Sequence, residues 1–424
     1  MGVYQLGDLN ITLNKKGSSE YAKASYPIRY GQFSEIKTPD YIFQFNLNGE
    51  IKFIQGLRKD WPDPSEWLKR TVGNDWTYYS TGGYSGVYDS FGEYYLPCPS
   101  YPSNGITVGD PFKDPIVTSA IRSWQKLQAG LKTFISDDLP RELKAFLTLV
   151  SRNNLETLTQ KSHALHSLIG EHVSVLPPDT RHVDYDVIPL TVADGCLYKC
   201  GFCRIKSRRK FTPRSQKDIA NQIQNLKVLY SQDIRNYNAL YLGQHDALNS
   251  GGELIEFAAR KAYETFEFEH SHMKSAYLFF FGSADAILNS TDDLFDSLER
   301  LPYSTFINIG LESADPKTLV AIRKSITAKM VEEAFSRMLD INRRYDKIEI
   351  SANFLFGDDL PQRHLTSFMA LMEKLLKHPY GKGAIYFSPL VDGGTEENRG
   401  LVRKFYRIKT LSHLATYIYL IQRL

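Results

Sequence analysis

The chain has 424 residues, 42 % hydrophobic and 23 % charged, values close to globular averages, which exclude a disulfide miniprotein, a peptide-like binder and a largely disordered chain. At ~150 residues per domain, the length suits two to three domains. Lys and Arg total 51 against 48 Asp and Glu, a net charge of +3; this near-balance argues against nucleic acid or an anionic membrane as the main partner and leaves any partner to be read from local patches.

The N-terminus, MGVYQLGDLNITLNKK, lacks the charged-then-apolar pattern of a signal peptide, and no run of ~18 apolar residues follows it, so the expectation is a soluble cytoplasmic protein. Met1-Gly2 opens like a myristoylation signal, but Leu6 stands where that motif wants Ser or Thr. Residues 1 to about 110 read as β-rich and aromatic. Tyr41, Phe43 and Phe45 share one face of a strand, and Asn48-Gly49 is a type I′ hairpin signal. A helix is expected from Asp114 to Gly130, with Asp114 as N-cap and Pro115 at its first position. A second helical stretch runs from about Pro140 to Leu168, with Leu143, Phe146, Leu147 and Val150 at helical spacing and a break near Asn153-Asn154. The proline-rich stretch from Val173 to about His182 then reads as a boundary, closing an N-terminal region of residues 1–180.

From 183 onward strands and helices alternate. VDYDVIPLTV, NALYLG, AYLFFFG, TFINIG, IEISANFLFG and AIYFSPLV read as six strands with helices between them. Runs such as AYLFFF lack the alternation of a half-exposed strand and suit a parallel sheet covered on both faces. The expected fold class is α/β, a partial (β/α)6 barrel over 181–392, preceded by the β-rich and helical region. Residues 393–424 are expected to form a C-terminal helix docking on the barrel through Leu411, Leu414, Ile418 and Leu420.

The chain has four cysteines, and three fall within eight residues, Cys196, Cys200 and Cys203 in TVADGCLYKCGFCRIK, directly after the first barrel strand. That spacing points to metal rather than to a disulfide framework. Structural zinc wants four closed ligands, and the only other cysteine is the distant Cys98. Three thiolates can instead hold an iron-sulfur cube with one iron left open for chemistry. A zinc site completed by His182 or His245 is the alternative.

CLYKCGFC, with Phe202 before its last cysteine, resembles the signature loop of the radical SAM superfamily. The resemblance covers about 181–392 and implies a six-stranded partial barrel, a [4Fe-4S] cluster on Cys196, Cys200 and Cys203, and S-adenosylmethionine (AdoMet) chelated at the open iron. In that family an electron from the reduced cluster cleaves the sulfonium to methionine and a 5′-deoxyadenosyl radical; the resemblance also implies a flavodoxin- or ferredoxin-type reductant. Carried over residue by residue, Gly243 and Gln244 in YLGQHD resemble the glycine-rich segment that holds the AdoMet amine, although the usual GGE form is absent. Glu312 and Ser313 in NIGLESAD resemble the ribose or amino acid contact, Lys324 the basic residue that pairs with the AdoMet carboxylate, and Asn353, Phe354 and Leu355 the adenine segment, joined by Phe202.

Ser283, Asp285, Ser388 and Asp392 lie where strands three and six end and are candidates to read the substrate; Asp285 is the candidate to orient a hydroxyl or amine or to move a proton. Cys98 is a candidate hydrogen-atom donor if it reaches the cavity, and small buried filler otherwise. The tyrosines of the N-terminal region are candidates to cover the barrel mouth and exclude water. Lys199, Arg204, Lys206, Arg208, Arg209, Lys210 and Arg214 crowd the cysteine loop, suiting phosphates, RNA or an acidic reductase. No cysteine follows Cys203, so one cluster is the limit, and no Asp-x-His-x-x-Gly cobalamin motif is present. The leading expectation is hydrogen abstraction from a small or medium-sized metabolite. The alternatives are radical modification of RNA or protein, and a non-catalytic cluster or zinc scaffold.

Overall fold

Alternating apolar and polar residues build an eight-stranded antiparallel meander over the first hundred positions of the computed structural model: β1 (Gly2–Leu6), β2 (Leu9–Lys16), β3 (Gln32–Lys37), β4 (Tyr41–Phe45), β5 (Ile51–Gly56), β6 (Trp67–Arg70), β7 (Trp76–Ser80) and β8 (Leu96–Pro99). The structure describes all residues except 83–86, 88–90, 100–109, 174, 204–209, 244, 358–359, 377–380, 391–396 and 421, with backbone alone at 99 and 397–401. Tyr41, Phe43 and Phe45 share the buried face, as their spacing requires. The β4–β5 turn differs from the type I′ expectation, because Gly49 alone takes a positive φ, +72°. Asn46 explains this: its side-chain oxygen accepts from the amides of Asn48 and Glu50, both at 3.0 Å, favouring a three-residue loop with glycine in the left-handed position.

Helices Pro115–Gly130 and Arg141–Arg152 cover this sheet. The Asp114 carboxylate caps the first, accepting from the Ile116 amide at 2.8 Å. Trp124, Leu143 and Leu147 pack with Ile11, Ile36, Phe43 and Ile54 in one core. Helix Leu155–Ile169, capped by Asn154, spans two cores: Leu158 belongs to the first, while Leu165 and Ile169 join that of the following domain.

That domain is a parallel sheet of seven strands in sequence order, β9 (Ile188–Thr191), β12 (Ala239–Gly243), β13 (Tyr277–Ser283), β14 (Ser304–Glu312), β15 (Ile348–Phe356), β16 (Ala384–Pro389) and β17 (Ala415–Ile418); β10 (Ala193–Asp194) and β11 (Thr212–Pro213) form a short ribbon beside it. Strands neighbouring in sequence order, joined through helices, have the winding of a (β/α) barrel left open between β9 and β17. The seventh strand corrects the expected C-terminal helix: helix Glu397–Leu411 is followed by β17, which pairs with β16. Leu414 and Ile418 mimic a helical i,i+4 pair, yet Thr416 between them is also buried, the period-two pattern of a strand.

The meander docks where the parallel strands begin. Gln32 and Asn236 exchange backbone and side-chain hydrogen bonds at 2.8 and 2.9 Å just before β12, the Lys274 amide donates to the Ser19 carbonyl at 2.7 Å before β13, and Lys69 reaches Asp184 and Asp186 before β9, both at 3.1 Å. Tyr79 and Tyr95 lie at this junction and not at a barrel mouth, Tyr79 stacking on buried Trp67 and Tyr95 meeting it edge-on.

The proline-rich stretch is no exposed tether. It runs along the inner face of the parallel sheet: the Asp179 carboxylate accepts from Ser351 of β15 at 2.5 Å and Tyr386 of β16 at 2.9 Å, His182 stacks on Phe306 of β14 at 4.7 Å, and Tyr241 of β12 donates to the Val175 carbonyl at 3.4 Å. Its own side chains fill the lower lumen and leave the strands' far end as the place for a site. Among the described residues no helix is long and apolar enough to cross a membrane.

Candidate active site

Beyond β9 the chain turns at Gly195, whose φ of +78° suits glycine, into Cys196. Two ties hold this loop. The Gly201 amide donates to the Ile322 carbonyl at 2.7 Å, and Arg214 grips Asp194 with two nitrogens at 2.8 and 3.0 Å while also donating to the Ile169 carbonyl at 3.0 Å. Arg214 is thus a strut of the loop rather than a phosphate ligand. Lys199 and Lys210 are exposed beside it, whereas Arg204, Lys206, Arg208 and Arg209 lie outside the described residues.

None of the three loop cysteines is in a disulfide; Cys200 is buried, and Cys196 and Cys203 are half-buried. Burial pushes the Cys200 thiol up to about 11, Lys324 opposing this while Glu312 and the other two thiols add to it. Burial also raises Cys196, with Asp246 adding and Lys324 opposing. One loop therefore brings three thiols within electrostatic reach of one another and of Lys324, Glu312 and Asp246. Among the described residues no three Cys, His, Asp or Glu side chains are grouped as ligands of a single metal ion. The donor chemistry nevertheless fits a thiophilic cluster: three neighbouring thiols lose their protons on binding an iron centre, which relieves the burial that holds them protonated. His182, stacked on Phe306 at the beginning of the strands, is remote from this loop.

Lys324 and Glu312 are both buried, with Nζ 3.6 Å from Oε1, and Nζ lies 4.7 Å from the centre of the Tyr198 ring. Burial raises the Glu312 carboxyl and Lys324 counters it. Gly310 makes room for the pair, since a Cβ there would stand 2.7 Å from Glu312 Oε1 and 3.4 Å from Lys324 Nζ. Glu312 itself has a φ of +66°, a strained conformation for a residue with a side chain, where the pairing of β14 with β15 shifts register.

Asp246 was not among the residues singled out from sequence. It is 5 % exposed, and one carboxylate oxygen accepts from the Ser283 amide at 2.9 Å while the other, Oδ2, is buried without a hydrogen-bond partner. Burial raises its pKa. The signal was the strand-end motif YLGQHD, whose last residue is the acid itself.

The remaining sequence candidates divide. Gly243 closes β12 against the Tyr241 ring, and Phe202 packs at the edge of the barrel core. Asn353 faces the lumen, exchanging side-chain hydrogen bonds with Asn308 at 2.5 and 3.2 Å. Ser313 is fully buried and engaged with His364 and the Asp315 amide, so its hydroxyl is not open to a ligand. Leu355 is buried, its carbonyl engaged by His364. Phe354 is buried and packs on Phe335 and Phe368 of the covering helices, the core alternative to an adenine contact. Ser283 caps helix Ala284–Asn289, accepting from the Ala286 amide at 3.0 Å, and Asp285 stands half-buried in that helix's first turn. Cys98 sits in β8 with its Sγ 3.5 Å from the Leu96 carbonyl and its thiol pushed up to about 12 by burial. It is buried in the same hydrophobic core as the parallel strands. Ser388 is half-buried on β16, and Gln244 and Asp392 lie outside the described residues.

Residues 190–359 match the Radical SAM superfamily. The chain contains a radical SAM domain. Family membership implies an enzyme, and the family generally works with a [4Fe-4S] cluster and AdoMet. No curated protein matches the chain. Among solved structures, a radical SAM methyltransferase from Sphaerobacter thermophilus is similar at 13 % identity and TM-score 0.38, over 71 % of this chain and 89 % of that one. Coproporphyrinogen III oxidase (HemN) from Escherichia coli, a radical SAM enzyme, matches at 12 % identity and TM-score 0.36 over 52 % of this chain and 51 % of that one. The cobalamin-dependent AdoMet radical enzyme OxsB, solved with aqua-cobalamin and AdoMet, matches at 17 % identity and TM-score 0.33 over 53 % of this chain, which spans 30 % of OxsB's length. The radical SAM domain runs from β9 to just beyond β15 and contains every residue of the candidate site.

Proposed function

We propose that this chain is an AdoMet-radical enzyme that abstracts hydrogen from a small or medium-sized metabolite. The observation that carries the reading is the convergence of the Cys196, Cys200 and Cys203 thiols with Lys324, Glu312 and Asp246 at one end of the parallel sheet. On this reading the three cysteines hold a [4Fe-4S] cluster, which supplies the electron for reductive cleavage of AdoMet. Lys324 places a fixed cation beside the thiolates, Glu312 and the open Oδ2 of Asp246 accept hydrogen bonds from cationic or hydroxyl groups, and Asn353 with Asn308 offers a polar lumen wall. A small substrate is favoured because the Val175–Asp184 stretch fills the lower lumen and the aromatic meander sits at the far end. The exposed Leu197, Lys199 and Lys210 beside the cluster loop suit an acidic flavodoxin- or ferredoxin-type reductant.

Electron paramagnetic resonance of the anaerobically reconstituted, dithionite-reduced protein tests this. A four-iron signal that shifts on adding AdoMet and is lost in Cys200→Ala is the expected result. Bound zinc, or a signal indifferent to AdoMet, refutes it. Binding that weakens steeply between low and moderate salt with an RNA probe would transfer the reading to a macromolecular substrate.

A further inference from the structure

One buried titratable group beside the site has no part in the foregoing. His364 lies in the first turn of helix Arg363–Leu375 and is 5 % exposed. Its Nε2 stands 2.8 Å from the carbonyl oxygen of Leu355, at the end of β15, and its Nδ1 stands 2.8 Å from the hydroxyl of Ser313, immediately beyond β14. A carbonyl only accepts, so Nε2 carries the proton, and because burial lowers the ring's pKa and favours its neutral form, Nδ1 accepts from the Ser313 hydroxyl. The ring is therefore a neutral bridge of fixed tautomer between the ends of two adjacent strands.

The bridge falls where the backbone most needs holding. Glu312, adjacent to Ser313, has a φ of +66°, and the β14–β15 register shifts between Gly310 and Glu312. The turn is drawn tight, with the Ser313 amide donating to the Leu311 carbonyl at 2.8 Å and the Asp315 amide donating to Ser313 Oγ at 3.0 Å. A left-handed glutamate is strained and persists only where its surroundings over-determine it. What this strained turn achieves is the direction of the Glu312 side chain, toward Lys324 and over the space left by Gly310.

We propose that His364 is a positioning residue that clamps the ends of β14 and β15 and so aims the Glu312–Lys324 pair at AdoMet. The proposal rests on the AdoMet-radical reading above. It assigns His364 no contact with AdoMet or substrate; the ring acts through Ser313 and the Leu355 carbonyl.

Two measurements on the full chain separate the clamp from that reading. The first is hydrogen–deuterium exchange in the cluster-free protein, comparing wild type with His364→Phe, which keeps the volume and removes both hydrogen bonds. The amides of Leu311 to Asp315 should exchange ~10-fold faster or more, with distant strands unchanged. Unchanged exchange there overturns the clamp whatever AdoMet does. The second is equilibrium binding of AdoMet to the cluster-loaded protein. His364→Phe should bind ~10-fold more weakly at unchanged iron content, Ser313→Ala should show a similar loss, and the double variant little further loss. His364→Gln, which can donate to Leu355 and accept from Ser313, should recover most of the affinity. Equal weakening in the Gln and Phe variants in step with their melting midpoints would reduce His364 to a packing role and overturn the positioning. If wild type holds the cluster but binds no AdoMet, the radical reading falls, and with it the positioning of AdoMet; accelerated exchange in His364→Phe would then mark a purely structural bridge.

Discussion

The two ends of the parallel sheet spend their buried polar groups differently. Where the strands begin, buried carboxylates are answered by cations or amides: Lys69 lies between Asp184 and Asp186, Lys52 also reaches Asp186 at 3.1 Å, and Asp233 accepts from Asn46 and Asn236. Where the strands finish, Asp246 Oδ2 and the Tyr198 hydroxyl are buried without hydrogen-bond partners, Lys324 meets Glu312 only at 3.6 Å, and a glutamate is held in a left-handed turn. The first end joins two domains mainly through charge pairs, although Arg29 Nε and Nη1, Trp67 Nε1 and Asn238 Oδ1 are buried there without hydrogen-bond partners and Asp184 and Tyr185 also take a positive φ. The second keeps polar atoms that a ligand can complete, at the cost in stability that functional sites commonly carry.

The sharpest way to break this contrast is to disable the joining end. Lys69→Met should lower stability by ~3–5 kcal/mol, because it leaves the buried Asp184 carboxylate without its cation and Asp186 with Lys52 alone. Urea denaturation measures this, and a loss below about 1 kcal/mol would show that the meander is not anchored through that pair.

Next in size is a pH effect at the same end. Burial pushes the Asp179 carboxyl up to about 6, Ser351 and Tyr386 opposing through their hydrogen bonds. A folded-state pKa above the unfolded value means that the folded chain binds the proton more tightly. The associated stability is fully present below the unfolded pKa of ~4 and is lost as pH rises through ~6, a change of about 3 kcal/mol at most. Asp233 is raised to about 6 as well, burial again being the main cause. Subtracting the pH profile of Asp179→Asn from that of wild type isolates the Asp179 share. A difference profile that is flat between pH 4 and 7 would mean that the carboxyl is not perturbed.

How far sequence reaches also differs between the two ends. The cysteine loop is legible because its thiols are neighbours in the chain, and six parallel strands are legible because runs such as residues 278–281 are apolar throughout. The facing of β15 is legible in its pattern: Ser351 and Asn353 alternate with Ile350, Ala352 and Phe354, and the lumen takes the polar set. The docking of the meander was not legible. Nothing local in the tyrosine-rich segment states which end of a barrel it meets. Asp246 and His364 matter through partners 37 and 51 residues away, and such convergence exists only in the fold.

A smaller effect, of opposite sign, is expected at the finishing end. Asp246→Asn keeps an oxygen for the Ser283 amide and removes a buried carboxylate charge, its amide nitrogen taking the place of the unpartnered oxygen, so the cluster-free protein should become more stable by ~1 kcal/mol at most. AdoMet cleavage by the reduced enzyme should fall even so, the trade expected where a group is kept for function at the expense of stability. A variant that loses stability while cleaving AdoMet normally would place Asp246 among the structural acids and erase the distinction between the two ends.

The smallest effect tests whether burial, rather than the mere presence of ion pairs, anchors the joining end. Lys274 and Glu20 link the two domains at 2.8 Å, just as Lys69 and Asp184 do, but their side chains are 67 % and 66 % exposed. Water already solvates both charges, so Lys274→Ala strands no buried carboxylate, and salt screens what attraction remains. Its urea midpoint should match wild type within error, and raising the salt concentration should not separate the two. A loss as large as that of Lys69→Met would mean that the junction depends on its rim, and the account of a buried anchor would have to be abandoned.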